Sequence, residues 1–408
     1  MPAQSRFALL SVLTLLLALL ASLTGPVTAA VASPTVTLSP AIGVAGSSTT
    51  LTAAGFPRKS TGTLRFAGTT STVRTDQSGR LSRQLSVPAG ATGTLTATVT
   101  AGAVSAAATF TVTVPKPEST ANVALRFGIT TPGGPAATAE LDEVAALAGE
   151  APSIVLFYRG FAAEPDLSEL DAVAARGATP LLTWEPYDWT AGVEQPQYAL
   201  ARLRDGSYDP YLRRWADALR SWGRPVLLRF GHEMNGSWYP WAEGINGNVP
   251  GEYTATWRHI HDIFTAAGAS NVSWVWSPNI SYTGSTPMAQ LYPGDAYVDW
   301  LALDGYNWGT SASWHSWTSP AQVFDASLTE LAAIAPGKPI MIAETASTEL
   351  GGDKAVWIGE LFDWLGQRPQ VRAMVWFQHD KETDWRINSS PAAAQAFAAG
   401  LVRLRTGS

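Results

Sequence analysis

The stretch that organises this sequence is Arg224-Pro-Val-Leu-Leu-Arg-Phe-Gly-His-Glu-Met-Asn-Gly-Ser-Trp-Tyr-Pro-Trp241. Residues 226–230 form a short apolar run between Arg-Pro and a glycine, a pattern typical of a buried parallel strand. Glu233 follows at the carboxyl end of this strand, and Trp238, Tyr239 and Trp241 come soon after it. A carboxyl group among flat aromatic faces can exchange a proton with an oxygen of a bound sugar. The stretch therefore predicts a strand-end site built around Glu233.

A second apolar strand ends in a second glutamate. In Lys338-Pro-Ile-Met-Ile-Ala-Glu-Thr-Ala-Ser347, Glu344 follows the apolar run directly. Two strand-end glutamates fit the two-carboxylate mechanism of glycoside hydrolysis, and retaining enzymes hold the two carboxyl groups roughly 5–5.5 Å apart. A long stretch of chain separates the two glutamates, so only the tertiary fold could bring them together. The simpler alternative is that each one is an ordinary surface acid on a loop.

From residue 122 onward, apolar runs with strand character alternate with helical periodicity. The predicted strands are residues 124–129, 153–158, 179–184, 225–230, 272–276, 300–303, 339–343 and 372–377. The predicted helices are residues 139–148, 167–176, 210–222, 252–267, a weak one near 288, 321–334, 354–365 and 391–404. Eight such units predict a (β/α)8 TIM barrel at 122–408, whose active site would lie at the carboxyl ends of the strands. A doubly wound sheet is the alternative, but no Gly-rich phosphate loop supports it.

The first part of the chain has a different composition. Arg6, the apolar stretch 7–23 and Ala30-Val-Ala32 predict a signal peptide over residues 1–32, and hence a secreted, extracellular protein; an uncleaved membrane anchor is the alternative. Residues 33–114 alternate with period two between turn residues, which predicts a small all-β, immunoglobulin-like sandwich. Residues 115–121 are a Pro-containing linker. After removal of the signal peptide, we expect no contact with a membrane.

Composition limits the range of partners. The formal net charge of −6 argues against nucleic acid, and the absence of cysteine excludes disulfides and thiolate metal sites. All 17 tryptophans lie at or after Trp184, so the predicted sandwich has no planar platform for sugars. A spacer that contacts anionic cell-wall material through its basic residues is the better interpretation. No His/Asp/Glu spacing is typical of a catalytic metal site, and we expect no cofactor.

The later part of the chain resembles glycoside hydrolase family 26, a family of retaining barrel glycosidases. The matching segments are Gly231-His-Glu-Met-Asn-Gly-Ser-Trp238, Asp304-Gly-Tyr-Asn-Trp308, Glu344 after its strand, and Val375-Trp-Phe377. The resemblance covers roughly residues 122–405. It implies a (β/α)8 barrel that cleaves polysaccharide, with the two glutamates as its catalytic pair.

Roles for individual residues follow from the chemistry and from this resemblance. Glu233 is the expected general acid/base and Glu344 the expected nucleophile. The resemblance implies that Tyr306 hydrogen-bonds the nucleophile and that His232 helps to hold the site. It further implies that Trp376 is a stacking platform beneath the reacting sugar and that Trp238 lies on the leaving-group side. The alternative for each of these four residues is a purely structural role.

Position 185 departs from the pattern of the family. Mannan-cleaving members commonly have a histidine after the tryptophan that ends the third strand, and this chain has Glu185 there. The departure favours mixed-linkage β-glucan over mannan. Glu185 would contact substrate hydroxyls, or else balance a buried arginine such as Arg229 or Arg126. Arg229 could point into the barrel and pair with an acid, and Asp304 is expected to brace a loop.

The sequence therefore predicts a secreted, retaining endo-β-glycanase that acts on a β-1,4-linked hexose polymer, either β-mannan or mixed-linkage β-1,3-1,4-glucan. A groove for several sugars would be lined by aromatic residues from the loops: Tyr187, Trp189, Tyr239, Trp241, Trp308, Trp314, Trp317 and Trp385. The alternatives are an inverting glycosidase, a non-catalytic glycan-binding or cell-wall-associated barrel, and a surface protein in which only the sandwich matters.

Overall fold

The computed structural model describes residues 33–88, 90–113 and 125–406. Contacts divide the chain into two units, and the division falls between Val112 and Thr113. The predicted signal peptide and linker lie outside the described residues. No helix within the described ranges is long and apolar enough to cross a membrane.

The N-terminal unit is all β, as predicted. Small polar and apolar residues alternate along the strands 35–39 and 48–54, so that one face of each of these two strands is buried. Strands β1, β3 and β6 form one sheet and β2, β8, β7, β4 and β5 another, and both contribute to one core that contains Phe56, Phe66 and Phe110. The immunoglobulin-like relationship stays a prediction. The strands are β1 (Thr35–Ser39), β2 (Ile42–Val44), β3 (Ser48–Ala54), β4 (Thr61–Phe66), β5 (Thr69–Arg74), β6 (Leu81–Ser86), β7 (Gly93–Ala101) and β8 (Val104–Thr113).

The second unit is a closed parallel barrel, which confirms the predicted (β/α)8 fold. Its eight strands pair in sequence order, and the last pairs with the first. Most are nearly continuous apolar runs, because both faces of a barrel strand are covered. The strands are β9 (Arg126–Thr130), β10 (Ile154–Gly160), β11 (Thr179–Glu185), β12 (Val226–Phe230), β13 (Val272–Trp276), β14 (Trp300–Asp304), β15 (Ile340–Thr345) and β16 (Val371–Phe377).

Helices cover the outside of the barrel and end where the sequence supplies a stop. Gly223 at φ 73 caps the helix that precedes β12 and turns the chain toward Arg224 and the strand that follows. Ser319 and Gln322 form a capping box at the start of α7. The helices are α1 (Thr138–Ala148), α2 (Ser168–Ala175), α3 (Leu200–Arg204), α4 (Asp209–Trp222), α5 (Glu252–Ala267), α6 (Met288–Leu291), α7 (Pro320–Ile334), α8 (Lys354–Gly366) and α9 (Pro391–Thr406).

The barrel interior consists of an apolar layer below a polar layer. Side chains alternate inward and outward along each strand, so the residue two places after an inward apolar residue also points inward. The apolar layer includes Leu156, Leu181, Leu227, Val275 and Ala302. Two positions further along the same five strands stand Tyr158, Thr183, Arg229, Ser277 and Asp304. This polar layer lies toward the carboxyl ends of the strands, where the two glutamates are found.

Candidate active site

Arg229 lies at the centre of the polar layer. Its guanidinium is fully buried, and Nη1 donates to both carboxylate oxygens of Asp304 at 2.9 Å. Nη2 donates to Oε1 of Glu344, and Nε donates to the Thr183 hydroxyl at 2.9 Å. Asp304 also accepts a hydrogen bond of 3.0 Å from the Ser277 hydroxyl. One buried cation thus joins two buried carboxylates from β14 and β15.

Glu344 is held by three donors. The Tyr158 hydroxyl donates to Oε1 at 2.8 Å, the Tyr306 hydroxyl donates to Oε2 at 2.6 Å, and Arg229 is the third donor. Burial alone would raise the pKa of Glu344, but the charge of Arg229 and the donated hydrogen bonds outweigh it and hold the pKa at about 2. Glu344 is therefore ionised at neutral pH, as a nucleophile must be.

Glu233 lies on the loop after β12 and has a different environment. It is a non-glycine residue at φ 51, and its backbone N–H donates to the Ser277 carbonyl at 2.7 Å, which fixes this turn. Its half-buried carboxyl accepts a 2.7 Å hydrogen bond from Nε1 of Trp238. Burial, and then the negative charge of Glu344, raise the pKa of Glu233 to about 7, against the lowering effect of the Trp238 hydrogen bond. Near neutral pH this carboxyl can both give and take a proton.

Glu185 and His232 form a second polar pair beside the two glutamates. Oε2 of Glu185 accepts from Nε1 of Trp189 at 2.6 Å, and Oε1 lies 3.7 Å from Nδ1 of His232. Burial raises the pKa of Glu185 to about 8 despite the Trp189 hydrogen bond. Burial also holds the pKa of His232 well below its usual range, so the ring is neutral, and its buried Nδ1 has no described hydrogen-bond partner. At neutral pH the two side chains therefore meet mainly as uncharged groups.

A cavity of about 860 Å³ lies above the buried Arg229 and Asp304 pair and is lined by the other groups of the site that contact Glu233 and Glu344. It brings together six of the seven residues predicted to form the site: Glu185, His232, Glu233, Trp238, Tyr306 and Glu344. The structure therefore places the two expected catalytic carboxyls on the same cavity at the carboxyl end of the barrel.

Comparisons with known proteins agree with this arrangement. The family model described as Glycosyl hydrolase family 26 matches residues 179–349, which include both glutamates and the strands that carry them. Endoglucanase H of Acetivibrio thermocellus is 45% identical over 232 residues, which are 56% of this chain and 25% of that protein. Residues 179–349 of this chain thus match glycosyl hydrolase family 26.

Other relatives of this chain carry different names. Mannan endo-1,4-beta-mannosidase A and B of Caldalkalibacillus mannanilyticus is 40% identical over 96 residues, 22% of this chain and 18% of that protein. The chain thus spans about a quarter or less of the length of these curated relatives. The GH26 domain of an endo-beta-mannanase/endo-beta-glucanase from Prevotella bryantii has the same fold, with a TM-score of 0.52, 17% identity, and coverage of 68% of this chain and 88% of that one.

The structure corrects the prediction for Trp376. This residue is fully buried and packs outward against Trp357 and Phe397, so it does not line the cavity. Val375 belongs to the interior apolar layer, and the next residue must therefore face the helices. Phe377, one position later, reaches the cavity instead.

Two further expectations change. Asp304 does more than brace a loop: its backbone bonds to Pro278 and Ile280 of the loop after β13, and its side chain also pairs with Arg229 inside the barrel. Among the groove aromatics, Trp241 is fully buried and donates to the His232 carbonyl at 2.7 Å, and Trp317 does not line the cavity. The remaining six do line it: Tyr187, Trp189, Tyr239, Trp308, Trp314 and Trp385. Arg126 donates to Ser153 and Thr179 and makes no described contact with Glu185.

Sequence reasoning missed Tyr158, the pairing of Asp304 with Arg229, and the residues other than Trp385 that the loop after β16 contributes. Tyr158 and Asp304 could have been found by counting two positions from the inward apolar residue of each strand. The loop after β16 carried no comparable signal, although it contributes His379, Lys381 and Glu382 to the cavity.

One group among the described residues is compact enough to suggest a metal site. The ligand atoms of His232, Asp304 and Glu344 lie within 4.8 Å of one another. The guanidinium of Arg229 already donates to both carboxylates in this group. The protein itself therefore supplies the positive charge at the position that a metal ion would take.

Proposed function

We propose that the barrel is a retaining endo-β-glycanase that hydrolyses a polysaccharide by double displacement. The observation that carries this proposal is that two carboxyls on one cavity have pKa values driven far apart by their surroundings. The pKa of Glu344 is held at about 2 and that of Glu233 is raised to about 7. Two carboxyls whose pKa values are driven apart by their surroundings suit the roles of nucleophile and general acid.

In the first step, the Glu344 carboxylate attacks the anomeric carbon of the bound sugar. The bond from that carbon to the glycosidic oxygen breaks, and Glu233 gives its proton to the departing oxygen. Tyr158, Tyr306 and Arg229 orient the nucleophile throughout this step. The products are a glycosyl ester on Glu344 and a shortened chain with a new hydroxyl group.

In the second step, water replaces the leaving group. The negative charge of Glu344 disappears in the ester, so the pKa of Glu233 falls and its carboxylate can take a proton from water. The water oxygen attacks the anomeric carbon, the ester bond breaks, and Glu344 regains its charge. Two inversions give net retention at the anomeric carbon.

The proposed substrate is a β-1,4-linked hexose polymer, with mixed-linkage β-1,3-1,4-glucan ahead of β-mannan. The 45% identity to a protein named Endoglucanase H extends over 232 residues, whereas the match to the C. mannanilyticus mannosidase covers 96. Glu185 lines the cavity where mannan-cleaving members of the family commonly have a histidine. Exposed aromatic rings such as Trp189 and Trp314 could stack on sugars beyond the cleavage point, which favours endo-action.

A direct test is a reducing-sugar screen of the protein on lichenan, mannan, glucomannan, β-1,3-xylan and cellulose, with Glu344→Ala and Glu233→Ala as controls. We expect release from lichenan or mannan that both substitutions abolish. Proton NMR of the first anomer formed distinguishes retention from inversion. Saccharide binding by calorimetry without release of reducing ends would contradict hydrolysis and favour a glycan-binding barrel.

We also propose that the protein is secreted, on the strength of the apolar stretch 7–23 and the Ala30-Val-Ala32 site that follows it. Sequencing the N-terminus of protein recovered from the culture medium should give Ser33 first. An N-terminus at Met1 in a membrane fraction would contradict this.

The N-terminal unit is proposed to contact anionic cell-wall polymer. Backbone hydrogen bonds from Lys59 to Asp76 and from Thr75 to Ser60 join two loops at one end of the unit. The exposed side chains there form a basic end: Arg58, Lys59, Arg74 and Arg80. The nearby Asp76 carboxylate accepts three hydrogen bonds from residues of its own loop. Binding to an acidic polysaccharide should weaken with salt and with Arg58→Glu and Lys59→Glu, and unchanged binding would refute this contact.

A further inference from the structure

A short hairpin after β16 forms one wall of the cavity. Residues 379–387, here the wall hairpin, are closed by an antiparallel bridge between Asp380 and Asp384 and by a 2.9 Å backbone hydrogen bond from Trp385 to His379. Four of its side chains line the cavity: His379, Lys381, Glu382 and Trp385. The hairpin is thus a substantial part of the site, although it lies outside the barrel strands.

Two buried donors hold three consecutive carbonyls of this hairpin. Nζ of Lys354 donates to the carbonyls of Asp384 at 3.0 Å and Arg386 at 2.8 Å. Nε1 of Trp376 donates to the intervening carbonyl of Trp385 at 3.0 Å. The Lys354 ammonium also lies 5.9 Å from the centroid of the Trp376 ring.

Lys354 is an unusual residue to bury for packing alone. Its side chain is fully buried, and its described hydrogen bonds go to neutral carbonyls rather than to a carboxylate. A buried ammonium without a bonded counter-ion costs free energy, which argues for a specific task. The charged groups that face it are Glu349, Asp384 and Arg386.

We infer that Lys354 and Trp376 are positioning residues that hold the wall hairpin against the cavity. They would thereby set the position of Lys381, which lines the cavity, and of the buried Trp385 ring, which packs against Tyr306. This inference rests on the proposed function of the site. It also gives Trp376 a role different from the stacking platform expected for it. The indole N–H of Trp376 donates to the carbonyl of Trp385, and Lys354 donates to the carbonyls on either side of it. The ring of Trp385 itself lies at the cavity.

The hairpin affects both carboxyls. The ring of Trp385 lies 5.1 Å from that of Tyr306, which donates to Glu344. The charge of Lys381 lowers the pKa of Glu233, so displacement of the hairpin should let that pKa rise. The charged and titratable groups that face Glu233 come from several elements: Glu185, Arg229, Tyr239, Tyr282, Asp304, Tyr306, Glu344 and Lys381.

The first test measures the hairpin itself and does not depend on hydrolysis. In Trp376→Phe, the ring keeps its packing but loses the donor to Trp385; in Lys354→Met, both lysine hydrogen bonds are lost. Hydrogen exchange followed by mass spectrometry should show amides of residues 379–387 exchanging at least tenfold faster in both variants. The loop 243–251, which makes no described contact with the hairpin, should exchange at the wild-type rate. Trp364→Phe is the matched control, because this buried indole donates to Asp325 on the outer helices.

The second test measures the consequence for activity. Trp376→Phe should raise KM for the polymer several-fold, change kcat by less than threefold, and move the alkaline limb of kcat/KM to higher pH. Lys381→Met should move that limb in the same direction. Unchanged exchange in the hairpin, or faster exchange with wild-type KM and pH profile, would overturn the inference. Absence of hydrolysis by the wild-type protein would refute the proposed function instead. Hydrogen exchange of residues 379–387 would still show whether Lys354 and Trp376 hold the hairpin in place.

Discussion

Glu344 and Glu233 lie on the same cavity but are held in opposite ways. Glu344 ends a barrel strand, is 6% exposed, and accepts hydrogen bonds from Tyr158, Tyr306 and Arg229. Glu233 lies on a loop at a left-handed backbone position, is half-buried, and accepts a hydrogen bond from Trp238. Burial raises the pKa of both carboxyls, and the number and charge of the donors decide which effect wins.

This difference explains how one cavity can hold two glutamates in different protonation states. A carboxylate bound to a guanidinium and two phenols keeps its charge in a dry site, because each donor stabilises the anion. A carboxyl with one neutral donor and a negative neighbour is more stable when protonated. The contrast between the two carboxyls can therefore be tested by removing one group at a time.

Replacement of Glu344 should have the largest effect. Glu344→Ala removes the group that forms the covalent intermediate, so we expect kcat/KM on the polymer to fall on the order of 10⁴-fold or more. The measurement is initial-rate reducing-sugar release, with the exposed helical residue Glu360→Ala as control at near wild-type rate. Loss of less than tenfold would mean that the strand-end carboxylate is not the nucleophile.

Glu233→Ala should have a smaller and substrate-dependent effect. The loss on the polymer should be about 10²- to 10⁴-fold, as for a general acid. An aryl glycoside with a good leaving group needs no proton, so its first step should proceed at nearly the wild-type rate. Stopped-flow measurement of phenol release should then show a burst followed by slow turnover. Equal losses on both substrates would contradict the assignment of the two roles.

The fold could be predicted from the sequence, but most of the contacts that distinguish Glu344 from Glu233 could not. Strand β13 and helix α5 have the predicted bounds, because their apolar patterns end at clear stops. Which side chains of a barrel strand point inward and which point outward is harder to predict. All but one residue of β16 are buried, so its sequence has no polar alternation to show that Trp376 points outward.

Glu344 shows the opposite case. Met341 and Ala343 both face the interior, so strict alternation would turn Glu344 outward. A register shift between Leu303 and Asp304 on β14, and another between Ile342 and Thr345 on β15, accompany the turn of this carboxyl into the cavity. A glutamate at a strand end was therefore sufficient to predict a site there. The donors that keep Glu344 ionised could not be predicted, because the register between neighbouring strands decides which side chains reach it.

Replacement of Arg229 should reduce stability as well as activity. Arg229→Met leaves Asp304 and Glu344 buried without their cation, and breaking such a pair costs about 3–5 kcal/mol at neutral pH. Urea unfolding followed by tryptophan fluorescence reports on the barrel, because every tryptophan lies at or after Trp184. Arg202→Met, which removes an exposed pair with Asp205, should change stability by less than about 1 kcal/mol.

The pH dependence of this effect has a definite sign. The folded-state pKa of Glu344, about 2, is below its ordinary value of 4.5, so the stability that this group contributes is fully present above about pH 4.5 and is lost as the pH falls toward 2. The difference between Arg229→Met and the wild type should therefore be largest at neutral pH and shrink on acidification. A difference that is constant from pH 7 to pH 3 would contradict an electrostatic role for Arg229.

The smallest expected effect comes from the donor on Glu233. Trp238→Phe keeps a ring beside the cavity but removes the N–H that stabilises the ionised form, so the pKa of Glu233 should rise above its value of about 7. Because Glu233 must be protonated for the first step, the alkaline limb of kcat/KM should move up by about half to one pH unit. Trp314→Phe is the control: this exposed indole lines the cavity but has no described hydrogen bond to either glutamate. The acid limb, which reports Glu344, should be unchanged in both variants, since none of its donors is removed. A downward shift of the alkaline limb in Trp238→Phe would show that the indole favours the protonated acid, and the contrast between the two carboxyls would then rest on burial and charge alone.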